Sequence, residues 1–589
     1  MKTALLPQAR HASRGHARLS ICALAVVAIV GFAATAAPAP LRPAIAAQPL
    51  ASGAQQQDSN SQRLHELIDR GLAVSVTSRD EAGYLAAAAE YRSLLGELAS
   101  IQYEHLDLDD QVDHDLLEAY MNTRIFEYEE VQSFKINPGS YISLWATSRL
   151  FLRPEANTNR DARAAVAELR GFGDRLEEGK RNLTNPARTW TENAIYQAYY
   201  ANLLLTEYVP KAQIPDPELK RELEAAAVVA REAIEDYEAW LREELLPRST
   251  RPPTWTPEQI NAYQIGKEML DEYPVDEMLR VAEADAIETR AEMVELAKMI
   301  HPSGDLRTVW ENMKDEAPPW EGVLPMAQSF VDLASSWLRN EGSHVVTIPD
   351  YIDYGARISP PMARRTLSFG GATGGPTVAG RQSGYYILTP LEDILTSEEK
   401  ASRIRSYNPY WTHVISYHEW LGHNVQIAAA NANVTRPIRR AYNSIYFSQA
   451  WSFYLEKMLP DEGYYEDRLD YLTGLKTHMA RLQMRMWRVQ RIITKLKMAK
   501  GEMTFDEAVQ AYIDEIGMEP ANAFIEVQRD SQSPSPPGRE IIGELVILDL
   551  RDEYARRMGS HYTLKRFNDT LLTYGDLPLK QIRRLMFRD

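Results

Sequence analysis

His418 and His423 lie five residues apart in a stretch that otherwise reads as helix, and that spacing limits the fold more sharply than anything else in the 589-residue chain. The run is His418-Glu419-Trp420-Leu421-Gly422-His423. Two imidazoles flanking an acid at this range is how zinc hydrolases are built. The imidazoles hold the metal, and the carboxylate beside the first takes a proton from the activated water. The usual spacing is four, which puts both histidines on one helical face. Five residues turn an ideal helix through about 500°, so a regular helix would point the two in different directions. One extra residue absorbed as a bulge realigns them, and such bulges tend to occur at functional sites. Gly422 is a permissive residue for that distortion. Without the bulge, the run is a helix carrying two unrelated histidines.

The surrounding chain is expected to be helical over most of its length. Leu219, Leu223, Ala226, Ala230, Ile234, Tyr237 and Leu241 recur at three- and four-residue steps, as do Leu279, Ala282, Ala286, Met293, Leu296 and Ile300. Thr256-Pro257-Glu258-Gln259 reads as a helix start, with Thr as N-cap, Pro in the first turn and Gln closing a capping box. Composition shifts between 343 and 390. Val345-Val346-Thr347-Ile348 and Tyr385-Tyr386-Ile387-Leu388 read as strands, separated by a Gly-rich loop from Gly370 to Pro376. Pro376 stands where a phosphate-binding loop needs Lys, so this is a lid, a substrate-edge strand or a plain hairpin. Helices resume near 396, and the motif helix is expected at about 410 to 428. A Pro-rich loop from Ser533 to Gly538 interrupts the last part.

The first 47 residues read as a secretory signal. Lys2, Arg10, Arg14 and Arg18 precede an uncharged stretch from Leu19 to Pro40, with small-residue cleavage sites near Ala36 and Ala46. An uncleaved membrane anchor is the rival reading. The only cysteine, Cys22, lies in this segment, so a mature chain has no thiol for disulfides, zinc ligation or nucleophilic attack. Cleavage near Ala47 removes five positive charges and no negative ones, taking the formal charge from −17 to −22. Such a surface repels nucleic acid and anionic membranes. The expected organisation is a signal peptide over 1–47, a flexible leader over 48–60, an N-terminal helical region over 61–342 forming one wall of a cleft, and a C-terminal region over 343–589 carrying the metal motif. The two larger regions are expected to make one catalytic unit, periplasmic or secreted.

The motifs from about 400 onward resemble the bacterial zincin-like family known as domain of unknown function 885. His418-Glu419 with Gly422-His423 and Gln426 match its metal motif, and Gln449-Ala450-Trp451 with Tyr454 matches its next helix. Glu526-Val527 and Arg529 precede Pro537-Gly538. Phe567-Asn568-Asp569, Leu571-Leu572, Gly575 and Leu577-Pro578-Leu579 match the closing segment. The resemblance implies a metallopeptidase-like architecture in which two His and a Glu hold zinc; the residue pattern makes it mainly α, with a small β-rich segment near 343–390. The chain departs from the family pattern in several places. Its metal motif is one residue shorter, a spacing that resembles the dipeptidyl-peptidase III family, where it binds zinc. Gln449 stands where the metal-binding Glu belongs, and a neutral amide oxygen is a poorer zinc ligand than a carboxylate. Lys495-Leu496-Lys497-Met498-Ala499 replaces an Asp-Thr-Gly-x-His segment, and Gly543-Glu544 replaces a Tyr-Lys pair.

The expected site therefore has His418 and His423 as ligands of one zinc or other divalent ion and Glu419 as general base. Gln449 is a third metal contact, a hydrogen-bonder to the ligands or a neutralised vestige, and Glu456, two turns beyond it, is a reserve ligand or the partner of a nearby Lys or Arg. Arg529 and Arg539 flank the Pro-rich loop and are expected to fork onto a substrate carboxylate, unless they are ordinary surface arginines. Tyr417, Tyr446 and Tyr454 are weaker candidates for oxyanion donors. Three functions remain open at this point: an exported zinc hydrolase of peptides or related amides, a repurposed metal enzyme acting on a non-peptide substrate, and a non-catalytic binding protein on the same scaffold. In each, the partner is a peptide or small molecule, with no nucleic acid and no membrane once the signal is removed.

Overall fold

A computed structural model of the chain describes residues 50–589, apart from 350–351, 365–366, 375–381, 393 and 589. The expected signal peptide lies outside the described residues. Of the expected leader over 48–60, residues 50–60 are described, and they belong to the helix Leu50–Ala73. Its later part buries Leu64, Leu67 and Ile68, and propagating an existing helix costs far less than starting one, so the Ala- and Gln-containing start continues it. No helix among the described residues is long and apolar enough to cross a membrane.

The architecture is mainly helical with one small sheet. The expected periodicities bury the faces they mark. In Pro217–Trp240, the residues Leu219, Leu223, Ala226, Ala230, Ile234 and Tyr237 are all buried. In Val275–Ile300, Leu279, Ala282, Met293 and Leu296 are buried. Thr256 caps Pro257–Asn261 through the expected box with Gln259. Gly53–Asp589 forms one compact unit. Within it, Trp190 donates from Nε1 to Ser531 Oγ at 2.9 Å and Trp255 to the Ser531 carbonyl at 2.8 Å. These buried bonds tie the N-terminal helices to the helix Pro520–Ser531.

The sheet has three strands in the order β1 (Ile352–Ile358), β3 (Gln382–Leu388), β2 (Gly370–Gly374). β1 runs parallel to β3, and β2 antiparallel, with Ala372 opposite Tyr386. The expected strand at Tyr385–Leu388 is therefore present within β3. The Gly-rich run expected as a loop is strand from Gly370 to Gly374, while Gly375 and Pro376 lie outside the described residues. A side chain at Gly370 would strike the Ile387 carbonyl oxygen at 2.1 Å, so glycine is what lets this edge strand come so close. Val345–Ile348 forms no strand. Its backbone bonds side chains instead: Asn568 donates to the Val345 carbonyl at 2.9 Å, and Asp569 accepts from Thr347 N–H at 2.7 Å.

Candidate metal centre

The motif lies in the middle of a helical run that changes pitch. Asn408 caps Pro409–Tyr417 by accepting from Trp411 N–H, and Pro409 sits in the first turn. His418–Val425 is then wound as π-helix, before α-helix resumes over Gln426–Asn433. Hydrogen bonds from i to i+5 put residues five apart on one face. The rings of His418 and His423 accordingly stand 5.1 Å apart, centroid to centroid. The bulge that the spacing requires is present. Gly422 serves it by small size: a Cβ there would meet Ser452 Cβ at 2.3 Å and Cα at 2.7 Å.

Ser452 belongs to the helix Ile445–Asp461, which lies against the π turn. Ser448, Ser452 and Glu456 follow each other at four-residue steps on that helix and all reach the histidines. Ser448 Oγ is 3.3 Å from His423 Nδ1, and Ser452 Oγ is 3.4 Å from His423 Nε2. Glu456 Oε1 is 2.7 Å from His418 Nδ1, bent off the ring N–H axis so that no aligned hydrogen bond forms. Glu456 also accepts from Arg488 at 3.3 Å. It is thus a carboxylate placed behind a histidine, the arrangement that orients metal-ligating imidazoles. The two serines were not anticipated; their signal was the S-x-x-x-S-x-x-x-E spacing leading to Glu456.

His418, Glu419 and His423 each offer one ligand atom, all within 4.8 Å of one another, and form a group that can hold a metal ion. Glu456 falls outside that group; it sits against the ring of His418. Gln449 lines the same cavity as the two histidines. The electrostatics favour neutral imidazoles, the form that binds metal. Burial, reinforced by the Arg488 charge, holds His418 far below the usual histidine range, and burial with the neighbouring His418 takes His423 down to about 3. Burial pushes Glu419 up to about 7, against Arg488 and a hydrogen bond from the Ala372 N–H of β2. Glu456 is likewise raised to about 7 by burial, against Arg488 and Arg481.

The cavity has a volume of about 710 Å³ and is also lined by Glu127, Tyr263, Lys267 and Glu268 from the N-terminal helices and by Gly370–Ala372 from β2. Arg529 and Arg539 both line it, with Arg529 held by Glu526 at 2.8 Å and Arg539 near Asp530 at 3.5 Å and Glu540 at 3.4 Å. The tyrosines considered as oxyanion donors are packed elsewhere. Tyr417 bonds Tyr465, Tyr446 bonds Gln264, and Tyr454 lies beside Arg551; none lines the cavity. Glu544, in place of the expected Lys, pairs with Arg485 at 2.7 Å.

Two solved structures share this fold. One is of a candidate lipoprotein of unknown function from Shewanella oneidensis, 19% identical, with a TM-score of 0.65, covering 91% of this chain and 100% of that one. The other is of a candidate lipoprotein from Colwellia psychrerythraea, 17% identical, with a TM-score of 0.67, covering 91% of this chain and 99% of that one. No curated protein matches the chain. A family model, described as bacterial protein of unknown function (DUF885), matches residues 70–586, so the chain belongs to that family.

Proposed function

We propose that the chain is an exported metal-dependent hydrolase that cleaves a peptide or related amide. The observation that carries this reading is the π turn that brings His418, His423 and Glu419 together on the wall of one cavity. The donor set fits a zinc ion: two imidazoles kept neutral by burial would hold it, with the Gln449 amide oxygen as a third, weaker contact. Zinc, when bound, supplies a Lewis acid that polarises the scissile carbonyl and makes water easier to deprotonate.

The chain's own groups do the rest. Glu419 accepts a water proton on a carboxylate oxygen as the water oxygen bonds to the carbonyl carbon. It then hands that proton to the amide nitrogen as the C–N bond breaks. The Ala372 backbone lies beside the Glu419 carboxylate, and the Glu456 carboxylate stands 2.7 Å from Nδ1 of His418, where donation from that nitrogen would orient the ring. β2 is the outer strand of its sheet and lines the cavity, and an edge strand is a template for an extended peptide. Export is supported by the basic, then uncharged N-terminus and by the lipoprotein description of the two similar structures.

Elemental analysis of the purified mature protein tests this. Near-stoichiometric metal is expected, and His418→Ala should lose it. Background metal in both proteins would end the reading. A metal enzyme working on a non-peptide substrate is the second reading, favoured by the neutral Gln449 where a carboxylate ligand is expected. Gln449→Glu separates the two: a gain in peptidase activity marks a weakened peptidase, and loss of a native non-peptidase activity marks a repurposed site.

A further inference from the structure

The cavity wall beside the metal centre is basic, in a chain whose formal charge is −17. Three elements converge there. Arg491 and Lys495 come one turn apart from the helix Tyr471–Ala499, Arg529 from the last turn of Pro520–Ser531, and Arg539 from the short turn Pro537–Arg539. All four line the cavity.

Three carboxylates serve the four cations. Glu526 Oε2 accepts from Arg491 at 2.9 Å and from Arg529 at 2.8 Å. Glu540 accepts from Arg491 and, at 3.4 Å, from Arg539. Asp530 lies 3.5 Å from Arg539 and 3.9 Å from Arg491. The Lys495 ammonium makes no ion pair among the described residues. It donates to the carbonyl oxygens of Ser533 and Ser535, at 2.8 and 2.7 Å. All three carboxylates stay ionised: burial opposes it, but the arginine charges outweigh burial and hold Asp530 at about 2, with Glu526 and Glu540 also lowered. Among these seven groups one positive charge is therefore left over, and Lys495 and Arg491 are only 4% and 5% exposed. A buried charge without a counter-ion is costly, and an anion in the cavity relieves it.

The geometry shows where such an anion would bind. Arg529 spends one guanidinium nitrogen on Glu526 and keeps 30% of its side chain exposed. Arg539 holds its two carboxylates only at the outer limit of hydrogen-bond distance. Both planar forks thus retain donors for a carboxylate. The cluster lines the same cavity as His418, Glu419 and His423.

Resting on the hydrolase reading above, we propose that Arg529, Arg539 and Lys495 form a carboxylate-recognition subsite, and that the substrates are peptides or acyl-amides presenting a carboxylate near the cleaved bond. The carboxylate is either the chain terminus or an acidic side chain.

Calorimetry on the mature Glu419→Gln protein tests the subsite without turnover. The probes are acetyl-trialanine as free acid, the same peptide as carboxamide, and a carboxamide with Asp as its last residue. The free acid should bind at least roughly tenfold more tightly than the plain carboxamide, the worth of one charged hydrogen-bonded contact. Adding Arg529→Gln or Arg539→Gln should shrink that gap to about twofold, with Arg529→Lys, melting like the parent, keeping part of it. If the Asp carboxamide matches the free acid, a side chain suffices; if it binds like the plain carboxamide, the terminus is read. Equal binding of acid and carboxamide, no binding of either, or a gap that survives in both Gln variants would overturn the proposal. Should the acid be preferred while the parent protein cleaves no peptide, the hydrolase reading falls and the subsite stands.

Discussion

Glu419 is the residue that separates catalysis from mere scaffold. Burial raises its carboxyl to about 7, near the value that serves a proton carrier at neutral pH. Glu419→Gln keeps the shape and cannot accept the proton. This variant should fold and bind metal like the parent and lose roughly 10²–10⁴-fold in turnover, the usual worth of a positioned acid–base group. Metal loss in that variant would make Glu419 a ligand instead, and unchanged turnover would remove it from the mechanism. Asp530 offers a prediction about stability. Its folded value, about 2, lies below the ordinary 3.8, because Arg539, Arg491 and Arg529 outweigh its burial. Such a group stabilises the fold above pH about 4, and that stabilisation is lost as pH falls from about 4 toward 2. The contribution is on the order of 2 kcal/mol. In urea titrations, Asp530→Asn should flatten that part of the pH dependence; an unaltered slope would show that Asp530 is not ionised by its arginines. At this scale the sequence shows chemistry only where residue type is rare and spacing informative. Glu419 is marked by standing between His418 and His423, which met both conditions. Ser448 and Ser452 did not, since serine is common and only the partner helix gives it meaning. Glu456 was legible by its phase on the helix, but which side of the histidine it touches depends on how two helices pack.

The π turn is the element on which the site depends, and its need was readable from one number, the five-residue spacing. What the sequence could not show is why glycine stands at 422. The reason is the helix Ile445–Asp461, whose Ser452 occupies the space a Cβ would need. Gly422→Ala should therefore push that helix, with Ser448, Ser452 and Glu456, away from the histidines. Overpacking of this kind costs about 1–3 kcal/mol, and metal affinity should fall with stability while helical circular dichroism stays the same. Gly474, inside the helix Tyr471–Ala499, makes the contrast, because a Cβ there meets nothing within 4 Å. Gly474→Ala should stabilise the protein by up to about 1 kcal/mol. Equal effects at the two positions would mean that packing against Ser452 is not what selects Gly422. The one misread strand has the same origin in tertiary contact. Val345 and Val346 are apolar and buried like strand residues, yet Asn568 and Asp569 supply the partners that a neighbouring strand would have given. The glycines from 370 to 374 left a lid, an edge strand and a plain hairpin open, and pairing with β3 makes them an edge strand.

At the scale of the molecule, the helical halves meet at the cavity, so the metal centre and the fold should report on each other. The N-terminal helices supply Glu127, Tyr263, Lys267 and Glu268 to the wall, and the bonds from Trp190 and Trp255 to Ser531 hold them to the helix that carries Glu526 and Arg529. The helical periodicity of both halves was legible, because long amphipathic patterns survive any tertiary arrangement. A cleft walled by the N-terminal helices was expected as well, but which of their residues reach it was not legible, because single buried bonds between distant residues leave no trace in local pattern. An ion bound by His418 and His423 binds the folded chain and finds no assembled site in the unfolded one. Free metal at a thousandfold excess over its dissociation constant then adds about 4 kcal/mol to stability. Chelator should consequently lower the melting temperature by several degrees at fixed scan rate, and added zinc should restore it. His418→Ala should melt at one temperature with or without chelator, which assigns the effect to this site and not to metal held elsewhere. If the parent melt does not move in chelator and no metal is found by elemental analysis, the histidines are structural. The acidic chain is then a binding protein that keeps the cleft, and its basic cavity wall is where a bound anion should be sought.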